Sequence, residues 1–241
     1  MKLVVEDKGR GDWNKQFAPF GIQKHHSFEE LDLSGYFAMG SFAFVKKCVG
    51  MGAKAFGGKD WFNWSQYAYQ IGNELLNSDY GLFPAAELRR LKFEILGRYG
   101  KECKIFIRPD CGFKTFDGQV LDITEFDYFA SMFDKVLSVI SKPTEILGEW
   151  RFAVSQGGEI LGKSLYRYQG ELVSHPTCPK NMEDYVSNIA KGIKEWPDPA
   201  IVLDIAQLPD MTMKVIEANA LSNSGLYAME PNKIVEFIKN L

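Results

Sequence analysis

The sequence predicts an α+β protein whose second part is built on a mainly antiparallel sheet. Three observations carry this reading. From residue 102 onward, short alternating strands are separated by turns rich in Gly, Pro and Asp. Amphipathic runs at helical spacing interrupt those strands. The balance of 46% hydrophobic to 24% charged residues is that of a globular chain, and 241 residues hold one large domain or two smaller ones. The pattern changes near residues 97–101. We therefore expect residues 1–97 to form a smaller N-terminal α/β portion and residues 98–241 the main domain.

The elements follow in order. "KLVVE" at the N-terminus reads as a strand, and "YFAMGSFAFVKKC" as a strand entering a helix. "WSQYAYQIGNELLNSD" places Tyr67, Ile71 and Leu75 on one helical face. "PAAELRRLKFEIL" carries Pro84 at a helix-start position, with Leu88, Leu91 and Ile95 behind it. Further helices are expected over "EFDYFASMFDKVLSVI", "NMEDYVSNIAKGIKEW" and the closing "NKIVEFIKNL".

Several function classes are excluded early. A net charge of −3 and a pI near 5.7 give no general attraction to nucleic acid or an anionic membrane. No stretch approaches a membrane span, and "MKLVVEDKGRGDW" turns charged too early for a signal peptide, so a cytoplasmic location is expected. The four cysteines have no zinc or redox spacing and read as reduced thiols. Three histidines leave little room for a histidine-rich metal site. "GMGAKAFGG" fits a dinucleotide fingerprint at Gly50, Gly52 and Ala55 but lacks its flanking strands. "RGD" at residues 10–12 reads as a charged loop, and Trp13, Trp61 and Trp64 read as core.

Three hairpins point polar groups one way. In "IVLDIAQLPDMTMKVIEANAL", a turn at residues 208–211 sets Asp204 opposite either Val215 or Glu217. Both registers leave Asp204 on one face with Glu217 and Asn219. Opposed carboxylates about 5 Å apart repel each other. A divalent cation reverses the sign, and these oxygen ligands suit Mg²⁺ or Mn²⁺. In "EWRFAVSQGGEILGKSLYRY", a turn at Gly157-Gly158 gathers Glu149, Arg151, Ala153, Ser164 and Tyr166 on one face. On residues alone, that face reads as a solvated surface with a weak ion pair. In "KIFIRPDCGFKTFDGQVLDI", a strand ends at Arg108-Pro109 and a glycine-containing loop with Lys114 follows, a type of loop that approaches phosphates.

Taken in order, "FIRPDCGFKTFDGQV", "EWRFAV", "SLY", "VLDI" and "VIEANALSNSGLY" resemble the R2K clade of the ATP-grasp superfamily, a group of ligase-like proteins, over residues 102–230. "AMGSFAFV" and "NELLNSDYGLFPAAEL" resemble that clade's N-terminal portion. The resemblance implies an ATP-grasp fold with two lobes around a nucleotide cleft. It implies ATP and Mg²⁺ (or Mn²⁺) as cofactors, and an ADP-forming ligase that activates a carboxylate and joins it to an amine. Arg108 and Lys114 would meet the phosphates, and "KPTEILGEW" would be the hinge beside adenine. Glu149 would belong to the nucleotide site, and Arg151 would stabilise the transferred phosphoryl group. Asp204, Glu217 and Asn219 match the metal ligands, and Ser224 and Gly225 sit at the mouth of the site. An amino acid or peptide is the implied substrate, with neither nucleic acid nor membrane as partner. A nucleotide-binding regulatory module and an ATP-grasp kinase remain the alternatives.

Overall fold

The computed structural model describes residues 1–7, 15–25, 27–58 and 60–241. The RGD stretch, Trp13 and His26 lie outside the described residues. The chain packs as two compact units, residues 1–59 with 146–241, and residues 60–145.

The first unit opens on a parallel sheet in which β1 (Lys2–Glu6) lies between β2 (Gly21–Lys24) and β3 (Tyr36–Met39). A central parallel strand is covered on both faces, and Leu3, Val4 and Val5 are all buried. α1 (Phe42–Gly50) follows, with Ser41 as its N-cap. The Glu6 carboxylate accepts the Ser41 backbone N–H at 2.6 Å and its hydroxyl at 2.9 Å, placing negative charge at the helix N-terminus. Gly50 ends this helix and Gly52 lies beyond it at φ 94°, so the glycines of "GMGAKAFGG" close a helix instead of opening one. That is not the context of a dinucleotide fingerprint.

The second unit begins with α2 (Trp64–Ile71), then β4 (Tyr80–Pro84), α3 (Glu87–Arg90) and α4 (Lys92–Tyr99). β5 (Lys104–Pro109), β6 (Gln119–Asp122), α5 (Phe126–Met132) and β7 (Leu137–Ser141) complete it. Its antiparallel sheet has the order β4-β7-β5-β6. Ile105, Ile107, Leu121 and Ile140 share one face and pack with Leu88, Ile95, Phe126 and Phe129. Two expectations need correction here. Pro84 ends β4 opposite Leu137, and the helix starts only at Glu87. The run "EFDYFASMFDKVLSVI" splits, because its β-branched end pairs as β7 with strands on both sides. Residues 97–101, where the sequence pattern changes, join α4 to β5 inside this unit.

The chain then returns to the first unit through β8 (Gly148–Ser155), β9 (Ile160–Tyr168), β10 (Glu171–His175), α6 (Lys180–Gly192), β11 (Ala200–Gln207), β12 (Met213–Ala220) and α7 (Pro231–Lys239). The antiparallel order is β10-β9-β8-β11-β12. Flanked on both sides, β11 is buried along its whole length. α6 stops at Gly192, short of the predicted span to Trp196. Ile234, Val235 and Ile238 of α7 join Leu161, Val202, Leu3 and Val5 in a single core, so both sheets of this unit share one interior. The four cysteines are unpaired thiols. No helix among the described residues is long and apolar enough to cross a membrane.

Gly57 marks a close approach within the first unit. Its φ is 105°, its N–H donates to Asp198 Oδ2 at 2.8 Å, and an added Cβ would lie 2.7 Å from Ala220 Cβ. Gly57→Ala is therefore expected to cost about 1–3 kcal/mol, read as a lower urea midpoint. An unchanged midpoint would show that this backbone shifts freely.

Candidate functional site

The β11–β12 hairpin carries the acidic face. Its turn closes with the Met211 N–H on Leu208 O at 2.9 Å. Near the turn Ile205 pairs with Val215, then a bulge intervenes, and Asp204 pairs with Glu217 and Val202 with Asn219. The extra residue is Ile216. Asp204 thus reaches one of its two expected partners through a bulge, not a symmetric turn. Asp204, Glu217 and Asn219 share one face.

The charge that answers Asp204 comes from β8, where Arg151 is its direct cross-strand partner. Arg151 Nε donates to Asp204 Oδ1 at 2.7 Å and Nη2 to Oδ2 at 2.6 Å. Nη1 donates to the Gly225 carbonyl at 3.0 Å. Arg151 is 9% exposed and Asp204 1%, so this is a buried bidentate pair. Burial opposes the Arg151 charge, but Asp204 more than restores it, and the guanidinium is held above its ordinary pKa. All three guanidinium nitrogens are engaged inside the protein. Arg151 was expected to face a phosphoryl group, and here it faces Asp204.

Two tyrosines flank this pair. The Tyr166 and Tyr227 rings stack 5.2 Å apart at 11°, with Arg151 Cζ 5.3 Å and 5.4 Å from their centroids. Tyr166 donates its hydroxyl to Glu149 Oε2 at 2.6 Å, and Glu149 Oε1 lies 3.5 Å from Arg167 Nε. Burial lifts the Tyr166 phenol well above its usual value, with Asp204 and Glu149 adding to the rise. The polar face of β8–β9 is therefore covered, and the solvated-surface reading of it is wrong. Bulges in the hairpin also pair Glu149 with Arg167 instead of Tyr166, while Arg151 meets Ser164 as expected.

Along the same face, Asn219 Nδ2 donates to Glu217 Oε1 at 2.9 Å. Glu217 is 9% exposed. That bond orients the Asn219 amide, whose carbonyl oxygen is an acceptor. Beyond β12, the Ser224 hydroxyl donates to Ala220 O at 2.7 Å and the Gly225 carbonyl takes Arg151. The Ser224 hydroxyl proton and the Gly225 carbonyl are thus engaged within the chain. Asn223 Nδ2 donates to Gly40 O at 3.2 Å, and Ser222 Oγ accepts the Phe56 N–H at 2.9 Å. Among the described residues, no group of three His, Cys, Asp or Glu side chains comes together as a metal cluster.

Arg108 and Lys114 belong to the second unit. Arg108 pairs with Val139 and projects on the sheet face opposite the Ile105–Ile107 core, its guanidinium 4.9 Å from the Trp64 ring. Trp64 is fully buried, as a core residue should be, but it also supports this cation. Asp110 accepts Ser65 N–H at 2.7 Å and its hydroxyl at 3.1 Å, which ties the end of β5 to the start of α2. Lys114 is exposed and takes φ 50°, with its N–H on Cys111 O at 3.1 Å. Tyr227 beside Arg151 in the first unit, and Trp64 beside Arg108 in the second, are contacts that sequence reasoning did not assign. Tyr227 stood at the end of a quoted motif, whereas Trp64 carried no separate signal.

A family model, the ATP-grasp domain of R2K clade family 3, matches residues 79–239. Solved structures share the fold at low identity. The D-cycloserine synthetase DcsG gives a TM-score of 0.66 at 10% identity, over 100% of this chain and 99% of that one. D-alanyl-alanine synthetase A from Vibrio cholerae gives 0.59 at 10% identity, over 98% and 96%. The ATP-grasp ligase PsnB, complexed with a minimal precursor, gives 0.57 at 10% identity, over 98% of each chain. Comparison with curated proteins by sequence finds no match.

The Tyr166–Glu149 bond generates a pH prediction. Tyr166→Phe should cost about 1.5–3 kcal/mol near neutral pH, because it deletes a hydrogen bond to a carboxylate. The folded protein keeps the phenol protonated above pH 10.0, where the unfolded chain releases that proton. The unfolded state then binds fewer protons, so wild-type stability falls as pH rises. The variant lacks this loss, and denaturation series should show the gap between the two narrowing above about pH 10. A gap that stays constant would contradict the burial of this hydroxyl.

Proposed function

The chain belongs to the ATP-grasp domain family of the R2K clade, family 3, and we propose that it is an ATP-dependent ligase joining a carboxylate to an amine. The observation that carries this is the pairing of Glu217 with Asn219 on one sheet face, at 2.9 Å and with Glu217 9% exposed. A nearly buried carboxylate beside an amide oxygen has the hard-ligand chemistry that suits Mg²⁺ or Mn²⁺. The fold relatives support the substrate class. They include synthetases of D-cycloserine and D-alanyl-alanine and a ligase solved with a precursor peptide, which favours an amino acid or peptide as substrate. The same ligase has been solved with Mg and ADP.

The proposed chemistry runs in two steps. A substrate carboxylate oxygen attacks the γ-phosphorus, the bond to the bridging oxygen breaks, and ADP leaves an acyl phosphate behind. The amine nitrogen then attacks the acyl carbon, loses a proton, and phosphate departs with the bonding electrons. Magnesium would neutralise charge developing on the phosphate oxygens. Arg108, backed by Trp64, and the exposed Lys114 are assigned to bind phosphate oxygens. Glu217 and Asn219 are assigned to the metal. Glu149 acts on this site by holding the Tyr166 hydroxyl, and Ser224 and Gly225 by fixing the loop after β12. Positioning and charge stabilisation carry such a reaction, which needs no histidine base.

The direct test is incubation with ATP, Mg²⁺ and pooled amino acids or peptides, read by mass spectrometry. ADP with a condensed product is expected. A phosphorylated compound would mean a kinase, AMP would contradict the acyl-phosphate route, and binding without turnover would mean a regulatory module. Glu217→Ala should lower turnover at least about 100-fold with an unchanged circular dichroism spectrum.

A further inference from the structure

Four successive residues of β9, Ile160, Leu161, Gly162 and Lys163, line one cavity of about 280 Å³ in the first unit. Strand side chains alternate between faces, so a cavity on a single face does not touch four in a row. This one lies along the edge of the strand. β8 pairs with the other edge of the same stretch. β10 reaches β9 only over residues 165–168, because the chain leaves the sheet after His175 at Pro176, which has no N–H to continue a ladder. Among the described residues, no strand pairs with β9 on this side over residues 160–163. Such an edge presents a row of N–H and C=O groups that an added strand can take.

Two helices wall this edge from opposite faces. A Cβ on Gly162 would lie 3.0 Å from Ile234 Cδ1, which places α7 against one face. Lys163 points to the other face and pairs with Glu183 of α6. A sheet from a second copy would collide with both helices, whereas a single extended segment lies between them. A second cavity of about 280 Å³ adjoins the first at Leu161 and Lys233, with Phe237 on its apolar side. The lining charges select the segment. Glu159, Glu183, Glu230 and Glu236 stand against Lys163 and Lys233, and Lys163 is already taken by Glu183. We infer that this groove binds an extended peptide rich in lysine or arginine. The peptide adds as a strand to residues 160–163 of β9 and sets an apolar side chain against Leu161 and Phe237. This site requires neither nucleotide nor metal.

The test uses the full chain and labelled peptides of about six residues, a usual strand length, read by fluorescence anisotropy. One peptide alternates valine with lysine, the other valine with glutamate. The lysine peptide is expected to bind at least about 10-fold more tightly. An added strand turns only alternate amides toward β9. N-methylation of one alternate set should therefore weaken the lysine peptide at least about 10-fold, and of the other set less than about 3-fold. Equal losses would mean a purely ionic or side-chain attraction and overturn the inference, as would a lysine peptide that does not bind. Glu230→Lys with Glu236→Lys, both exposed, reverses the lining charge and should invert the preference between the two peptides. An unchanged preference overturns the assignment to this groove. A dimer of the chain that the lysine peptide leaves intact would mean that a second copy holds the edge, and overturns it too.

Discussion

The buried pair of Arg151 and Asp204 is the interaction on which the five-stranded sheet of the first unit depends. It joins β8 to β11, and through the Gly225 carbonyl it reaches the segment after β12. Such a pair adds little net stability over apolar side chains of the same volume, since both charges lose their water. Breaking it is another matter, because a lone buried charge costs about 3–5 kcal/mol. Its main effect is on register. A one-residue slip of β8 against β11 would set Arg151 opposite Leu203 or Ile205 instead of Asp204.

A second set of polar contacts ties the end of β12 to the parallel sheet. Gly40 donates to Ser222 O at 2.8 Å, Asn223 reaches Gly40 O, and Ser222 receives Phe56. Glu6 meanwhile takes both donors of Ser41. These contacts fall at the carboxyl ends of β1 and β3, the side of an α/β sheet where ligands commonly bind. The polar atoms there are largely spent on one another, so this end is held in one conformation before any ligand arrives. Gly57, with no room for a side chain against Ala220, belongs to the same tight junction.

Much of this arrangement was legible in the sequence, and the illegible part has a common cause. Period-two alternation put Asp204, Glu217 and Asn219 on one face, and the bulge at Ile216 preserved that result. Hairpin arithmetic also paired Arg151 with Ser164. What alternation cannot tell is what covers a face. Glu149, Arg151 and Tyr166 therefore read as solvated, although Arg151 and Tyr166 are buried. Nor does it reveal neighbours across a long connection. β8 and β11 are separated by two strands and a helix, so the partner of Asp204 was out of reach, as was Trp64 beneath Arg108. At residues 137–140 the local pattern fitted a helix, and only pairing with β4 and β5 made it a strand. Pro84 was misplaced for the same reason.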